Sequence, residues 1–216
     1  MAEFEIKLPS LTNDPCLPDP SLLNYYHDLE NRVYWLNDEI SCYTFDLVQY
    51  ITRWNREDKG IPVQDRKPIR IIIDCGGGAL SVSETLSNII KMSKTPVIGI
   101  ALGFVASGAS VIYLSCHKKY ALPNSVFILH KGSCSGVSGT YDEIVSFARD
   151  YEKQMETLID FYIDNTKYTE EEIVPYFEET FKRYILPPLE KGKRIILENP
   201  NYYLESVFPR EREKIM

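Results

Sequence analysis

The chain has 216 residues, 44% of them hydrophobic and 25% charged, with a formal net charge of −7. That length suits one domain able to bury its own core without disulfide or metal staples. No apolar run reaches the roughly 18 residues of a membrane span, and the acidic balance sets the chain apart from nucleic-acid binders, which are more often basic.

Five cysteines, Cys16, Cys42, Cys75, Cys116 and Cys134, include no C-x-x-C pair. Met1 to Ser10 lacks the basic-then-apolar plan of a secretory signal. Together these imply reduced thiols in a cytoplasm and no structural zinc. No metal or cofactor is expected. Imidazole chemistry near neutral pH must draw on His27, His117 or His130.

In chain order, residues 1–22 carry four prolines and no apolar period, and read as an arm. Arg32-Val33-Tyr34-Trp35-Leu36 is a short β-type run. The spacing Phe45, Leu47/Val48, Ile51, Trp54 predicts an amphipathic helix from Tyr43 to about Trp54. Residues 56–68 read as a charged loop. Ile69 to Asp74, nearly all apolar and β-branched, predicts a strand buried on both faces. Gly76-Gly77-Gly78 follows it and leads into a helix from about Ser81 to Met92. Pro96 to Ala101 is a second buried strand, followed by the small-residue run Gly103 to Ser110. Lys119 to Leu122 and Val126 to Leu129 read as strands around a turn at Pro123-Asn124. A Gly/Ser loop at 132–139 precedes a long helix from Asp142 to about Asn165, with Ile144, Phe147, Ala148, Tyr151, Met155, Leu158 and Ile159 on one side. Thr169 caps a further short helix, with Glu172 at the capping-box position. Alternating strand and helix argue an α/β fold with right-handed crossovers.

Three places could carry chemistry. The glycine triplet permits positive φ and leaves backbone N–H groups uncovered. Such donors can serve an oxyanion or a phosphate, although the pattern matches no nucleotide-binding motif and also fits a plain strand-to-helix turn. Ser107 opens a helix a few residues after a buried strand, where the dipole favours negative charge and Gly108 N–H could donate to an oxyanion. The same run of small residues also fits close helix packing. His130 ends an apolar strand at a loop, a place suited to an active-site residue or to a surface one. His117, beside Lys118 and Lys119, reads as a solvated residue.

Taken in order, these words resemble the Clp protease proteolytic subunit family, serine peptidases of the crotonase-like fold. Arg32 to Leu36 is similar to the family's first strand, and Ile73-Asp74-Cys75-Gly76-Gly77-Gly78 to its Asn-Ser-Pro-Gly-Gly turn, with Gly76 where the family has proline. Gly103 to Ser110 resembles the nucleophile segment, above all of phage-associated relatives. Leu122-Pro123-Asn124-Ser125 and Ile128-Leu129-His130 resemble the Leu-Pro-Asn-Ser…His block. The helix from Asp142 resembles the handle that joins two rings. The resemblance covers about residues 25–175.

It implies an α/β, crotonase-like (ClpP-type) spiral of βαβ units with a protruding handle helix. The implied organisation is an arm at 1–22, a peptidase domain at 23–196 and a tail at 197–216. By the same resemblance Ser107 is the nucleophile, His130 its general base, and Gly77 or Gly78 with Gly108 the oxyanion donors. The third triad member would fall within Phe177 to Ile185, where one register offers Glu179 and another Lys182. The implied protein is a cytoplasmic homo-oligomer of stacked rings. It would cleave peptides or unfolded proteins in an inner chamber fed by an AAA+ unfoldase, with no nucleic-acid or membrane partner. A non-catalytic structural paralogue and an acyl-CoA enzyme of the same fold are the alternatives.

Overall fold

The computed structural model describes residues 19–130, 132 and 137–173, and the backbone of 184–186. Helix α1 (Pro20–Glu30) opens the described chain. It takes up the last three residues of the expected arm. Proline is pre-organised for the first helical position, and the Asp19 carboxylate caps the helix by accepting from the Ser21 amide at 2.9 Å. No residue of α1 is buried, which is why no apolar period announced it.

Strand β1 (Val33–Leu36) follows, and helix α2 (Asp46–Glu57) buries Leu47, Ile51 and Trp54. Phe45, expected on that face, instead ends a 3₁₀ turn and is 42% exposed. Strand β2 (Ile69–Cys75), helix α3 (Leu80–Met92) and strand β3 (Val97–Ala106) continue the alternation. β3 runs through most of the small-residue stretch, and helix α4 (Gly108–Ser115) starts two residues after it ends. Strands β4 (Lys118–Ala121) and β5 (Val126–Leu129) precede helix α5 (Tyr141–Asn165). Thr140 and Glu143 close a capping box on α5. A helical turn at 170–173 receives the same treatment, the Thr169 amide donating to the Glu172 carboxylate at 3.0 Å. Strand β6 (Tyr184–Leu186) is the last described element.

The sheet runs β1-β2-β3-β5-β6, with β4 also on β3. Every pairing is parallel except β5 with β6. One edge of β3 is shared in succession. Residues Ile98 to Ala101 pair with β4, and Phe104 to Ala106 pair with β5. Between these stretches the β2–β3 register jumps from Ile73↔Ala101 to Cys75↔Val105. The Asp74 carboxylate spans the jump by accepting from the Phe104 amide at 2.8 Å. This irregularity turns the end of β3 away from β4 and toward β5.

β2 is buried on both faces, as expected. Ile69, Ile71 and Ile73 join the main core with α2, α3, α4 and the second half of α5, while Ile72 packs with Val33, Ile98, Ile100 and Tyr120 on the other side. Each such side chain contributes about 1.5–3 kcal/mol by leaving water. The apolar side of α5 is covered only in its second half: Ile144 and Phe147 are more than 40% exposed, and burial starts at Met155.

The charged stretch at 56–68 is not solvated throughout. Asp58 is 2% exposed and holds Arg32 bidentately at 2.7 and 2.9 Å. It also accepts from Thr95 Oγ1 at 2.6 Å. Arg32 donates besides to the Lys67 carbonyl at 2.9 Å. Arg32 has φ 55° and follows the α1 C-cap, a left-handed position where glycine is usual. The buried ion pair holds it there. The network clamps the amino ends of β1, β2 and β3 together.

Truncating one partner leaves a buried charge unpaired. Asp58→Ala is therefore expected to lose about 3–5 kcal/mol of stability in urea denaturation. The Arg32 guanidinium holds the Asp58 carboxyl below the usual carboxylate range. Its stabilisation is complete above the unfolded carboxylate pKa and is lost as pH falls through the lowered folded value. A wild-type acid-unfolding curve that lies closer to neutrality than that window would contradict this assignment.

Candidate active site

The carboxyl ends of β2, β3 and β5 meet on one side of the sheet, where parallel α/β folds place their ligands. β2 delivers the glycine triplet. Gly77 and Gly78 have φ 100° and 150°. A Cβ on Gly77 would sit 2.7 Å from the Ser107 Cβ and 2.8 Å from the Ala106 carbonyl. A Cβ on Gly78 would strike the Ile40 backbone. Ile40 grips the turn from the other side, its amide donating to the Gly77 carbonyl at 2.9 Å and its carbonyl accepting from Ala79 at 2.8 Å. Gly76 faces open space.

Beneath the turn lies Cys75, 2% exposed. Its thiol donates to the Asp38 carbonyl at 3.0 Å and accepts from the Gly77 amide at 3.3 Å. Burial pushes the thiol pKa up, with Asp38, Asp74 and Glu39 acting in the same sense, so the group stays protonated and serves as a hydrogen-bonding post. With the Gly77 amide so committed, Gly78 and Gly108 supply the N–H groups that have no partner among the described residues. Gly108 is the first residue of α4, and a helix start leaves such donors unsatisfied.

β3 delivers Ser107 with φ 53° and ψ −125°, a region that residues bearing a Cβ seldom occupy. Its amide donates to the Ile128 carbonyl at 2.8 Å. Ser107 stands at the N-cap of α4 yet makes no side-chain capping bond, so the hydroxyl is not drawn back into the helix. The arrangement is a strand-to-helix elbow comparable in form to that of α/β-hydrolases, without their G-x-S-x-G spacing.

β5 delivers His130. Ala106 is in register with Ile128, so His130 falls just past the Ser107 level on the adjacent parallel strand. Val126, Ile128 and His130 share one face of β5 and are half-buried, while Phe127 and Leu129 point into the core. Ser107, His130, Gly77, Gly78 and Gly108 all line one cleft of about 1310 Å³. That exceeds the 300–1,000 Å³ of small-molecule pockets. α5 forms the floor, through Met155, Leu158 and Tyr162.

His117 is not merely solvated, since its Nδ1 accepts from the Val97 amide at 3.0 Å. Desolvation lowers its pKa, as does nearby Lys119. His27 lies on exposed α1, beside Asn31 and Glu30. Neither lines the cleft. Glu179 and Lys182 lie outside the described residues, as do Cys16 and Cys134. Among the described residues no group of three His, Cys, Asp or Glu side chains could hold a metal ion, and no helix is long and apolar enough to cross a membrane. The sequence reading missed Cys75, Ser110 and Tyr162 as parts of the site. Tyr162 continues the Met155, Leu158 spacing of α5, and Ser110 lies one helical turn beyond Ser107. Both signals were available.

The parallel sheet thus brings a serine elbow, a histidine just past the adjoining strand and glycine amides to one cleft. Comparison with known proteins gives the family. The model of the Clp protease family matches residues 62–182, more than half of the chain. ATP-dependent Clp protease proteolytic subunit 2 of Treponema denticola is 38% identical over 89 residues, covering 40% of this chain and 44% of that protein. The subunit 2 of Treponema pallidum is 33% identical over 127 residues, covering 58% and 61%. The match thus spans about half the length of these curated relatives. The solved structure titled ClpP1 N165D mutant from Listeria monocytogenes superposes with a TM-score of 0.56 at 22% identity, covering 70% of this chain and 82% of that one. It shows the shared fold. The chain belongs to the Clp protease family.

The glycine geometry makes a contrast measurable by urea denaturation. Gly77→Ala is expected to cost at least about 1–3 kcal/mol, from positive φ alone. Gly76→Ala is expected to be neutral or to stabilise by up to about 1 kcal/mol. Equal effects at the two positions would show that the turn is not held against Ser107.

Proposed function

We propose that the chain is a serine endopeptidase that cleaves peptides or unfolded proteins. The observation that carries this reading is the placement of Ser107. It stands on a strained elbow, in one cleft with His130 and beside two uncommitted amide donors. In this reading His130 removes the hydroxyl proton as Ser107 Oγ attacks the scissile carbonyl carbon. The tetrahedral oxyanion accepts from Gly78 and Gly108 N–H. The intermediate collapses as His130 returns the proton to the leaving amine, and water then hydrolyses the acyl-enzyme by the same base.

Peptide docking would lay an extended substrate along the cleft, the α5 floor accepting apolar side chains; β5 has no free edge for an added strand, since β3 and β6 pair on its two sides. We assign Glu179 the role of orienting His130, ahead of Lys182, because a cation cannot accept from an imidazole N–H. β6 pairs antiparallel with β5, Tyr184 opposite Leu129, which returns the chain to the His130 end of the strand. The family, together with the names of the two Treponema relatives, supports a cytoplasmic homo-oligomeric chamber fed by an AAA+ unfoldase. The exposed apolar half of α5 is consistent with assembly.

A fluorophosphonate probe tests the chemistry. Labelling is expected at Ser107 alone, located by mass spectrometry. In His130→Ala the labelling rate should fall about 10²–10⁴-fold, the usual contribution of a general base. An unlabelled assembled protein would favour a structural role instead, and a monomer at micromolar concentration would count against the chamber.

A further inference from the structure

We propose that Tyr162 is a positioning residue for the oxyanion donor Gly108, acting through Ser110; the proposal rests on Ser107 being the nucleophile. Ser110 Oγ donates to the Ser107 carbonyl at 2.6 Å. The Ser110 amide donates to the same oxygen at 2.9 Å. Ser110 Oγ also lies 2.6 Å from the Tyr162 hydroxyl. A serine hydroxyl has one proton. Because the carbonyl can only accept, Ser110 gives its proton there, and Tyr162 donates to Ser110. The chain of bonds is Tyr162 O–H to Ser110 O–H to the Ser107 carbonyl. It joins residues 52 apart, on α5 and α4.

The next link is covalent. The Ser107 carbonyl and the Gly108 N–H belong to one peptide unit, which is planar and trans, so its C=O and N–H point in opposite directions. No cis peptide bond occurs among the described residues. Two donors fixing the carbonyl on its inner side therefore aim the Gly108 N–H outward into the cleft. They fix the same peptide plane that sets the Ser107 ψ of −125°. Donation to the carbonyl also polarises the peptide and strengthens its N–H as a donor. Ser110 and Tyr162 are 0% and 1% exposed, so water competes for neither bond. Burial raises the Tyr162 phenol above its ordinary pKa, which keeps the proton in place throughout the neutral range.

A residue serving only the core would give its contribution through the ring, which Tyr162→Phe retains. The relay acts through the hydroxyl. Fluorophosphonate inactivation of the full chain is measured for wild type, Tyr162→Phe, Ser110→Ala and the double variant, separating the limiting rate from half-saturation. Tyr162→Phe is expected to lower the limiting rate about five- to thirty-fold, the equivalent of one or two hydrogen bonds, with half-saturation unchanged. Ser110→Ala is expected to lose at least as much, and the double variant no more than Ser110→Ala. An unchanged limiting rate in Tyr162→Phe, an effect on half-saturation alone, or multiplied losses in the double variant would each overturn the proposal. Wild-type protein that fails to label at Ser107 would overturn the functional reading instead. Hydrogen exchange still decides the relay in that case. Faster exchange of the Ser110 amide in Tyr162→Phe, with the rest of α4 unchanged, supports it, and unaltered exchange refutes it.

Discussion

One residue of positive φ separates the end of β3 from the start of α4, and its side chain makes no capping bond to the helix. Ser107 is that residue, and the rest of the site is arranged around the cost of keeping it there. A non-glycine residue in such a conformation costs about 1–3 kcal/mol. Two contacts offset this: the Ser107 amide is fixed by β5 through Ile128, and its carbonyl is fixed by Ser110. Gly77 lies too close behind it for a Cβ to fit. Removing the side chain of residue 77 from the backbone's path is thus a condition for the elbow, not a property of a flexible loop.

The two ends of the sheet divide the labour. At the amino ends, Arg32, Asp58 and Thr95 bind three segments with a buried ion pair. At the carboxyl ends the polar groups stay poised at a cleft. The long irregular strand β3 connects the two. Its first half pairs with β4 and its second with β5, the Asp74 bridge spans the jump between them, and Ser107 and His130 line one cleft at the far end.

Much of this was legible in the sequence. β-branched runs bounded by glycine or proline announced β2 and the first part of β3, because a strand buried on both faces leaves an unbroken apolar signature, and the apolar run Val126 to Leu129 announced β5. The positions of Ser107, His130 and the glycines at strand ends followed from those runs. Other features were hidden for physical reasons. α1 buries nothing, so it has no period to read. Asp58 sits in a charged stretch, and only folding shows that one of those charges meets Arg32. The extension of β3 through Gly103 to Ala106 was masked because Gly103 interrupts the apolar run and the stretch reads on into the Gly, Ala and Ser residues that open α4. Tyr162 was missed, since a sequence displays its ring and its spacing but not the hydrogen bond its hydroxyl makes.

The central claim is that the elbow, the imidazole and the amides form one reacting centre. A crystal structure of the phosphonylated protein tests it most directly. The account predicts phosphorus bonded to Ser107 Oγ, the phosphoryl oxygen between the Gly78 and Gly108 N–H groups, and the His130 ring within hydrogen-bonding distance of the adduct. A phosphoryl oxygen turned to solvent, or a His130 ring turned away from the adduct, would contradict it.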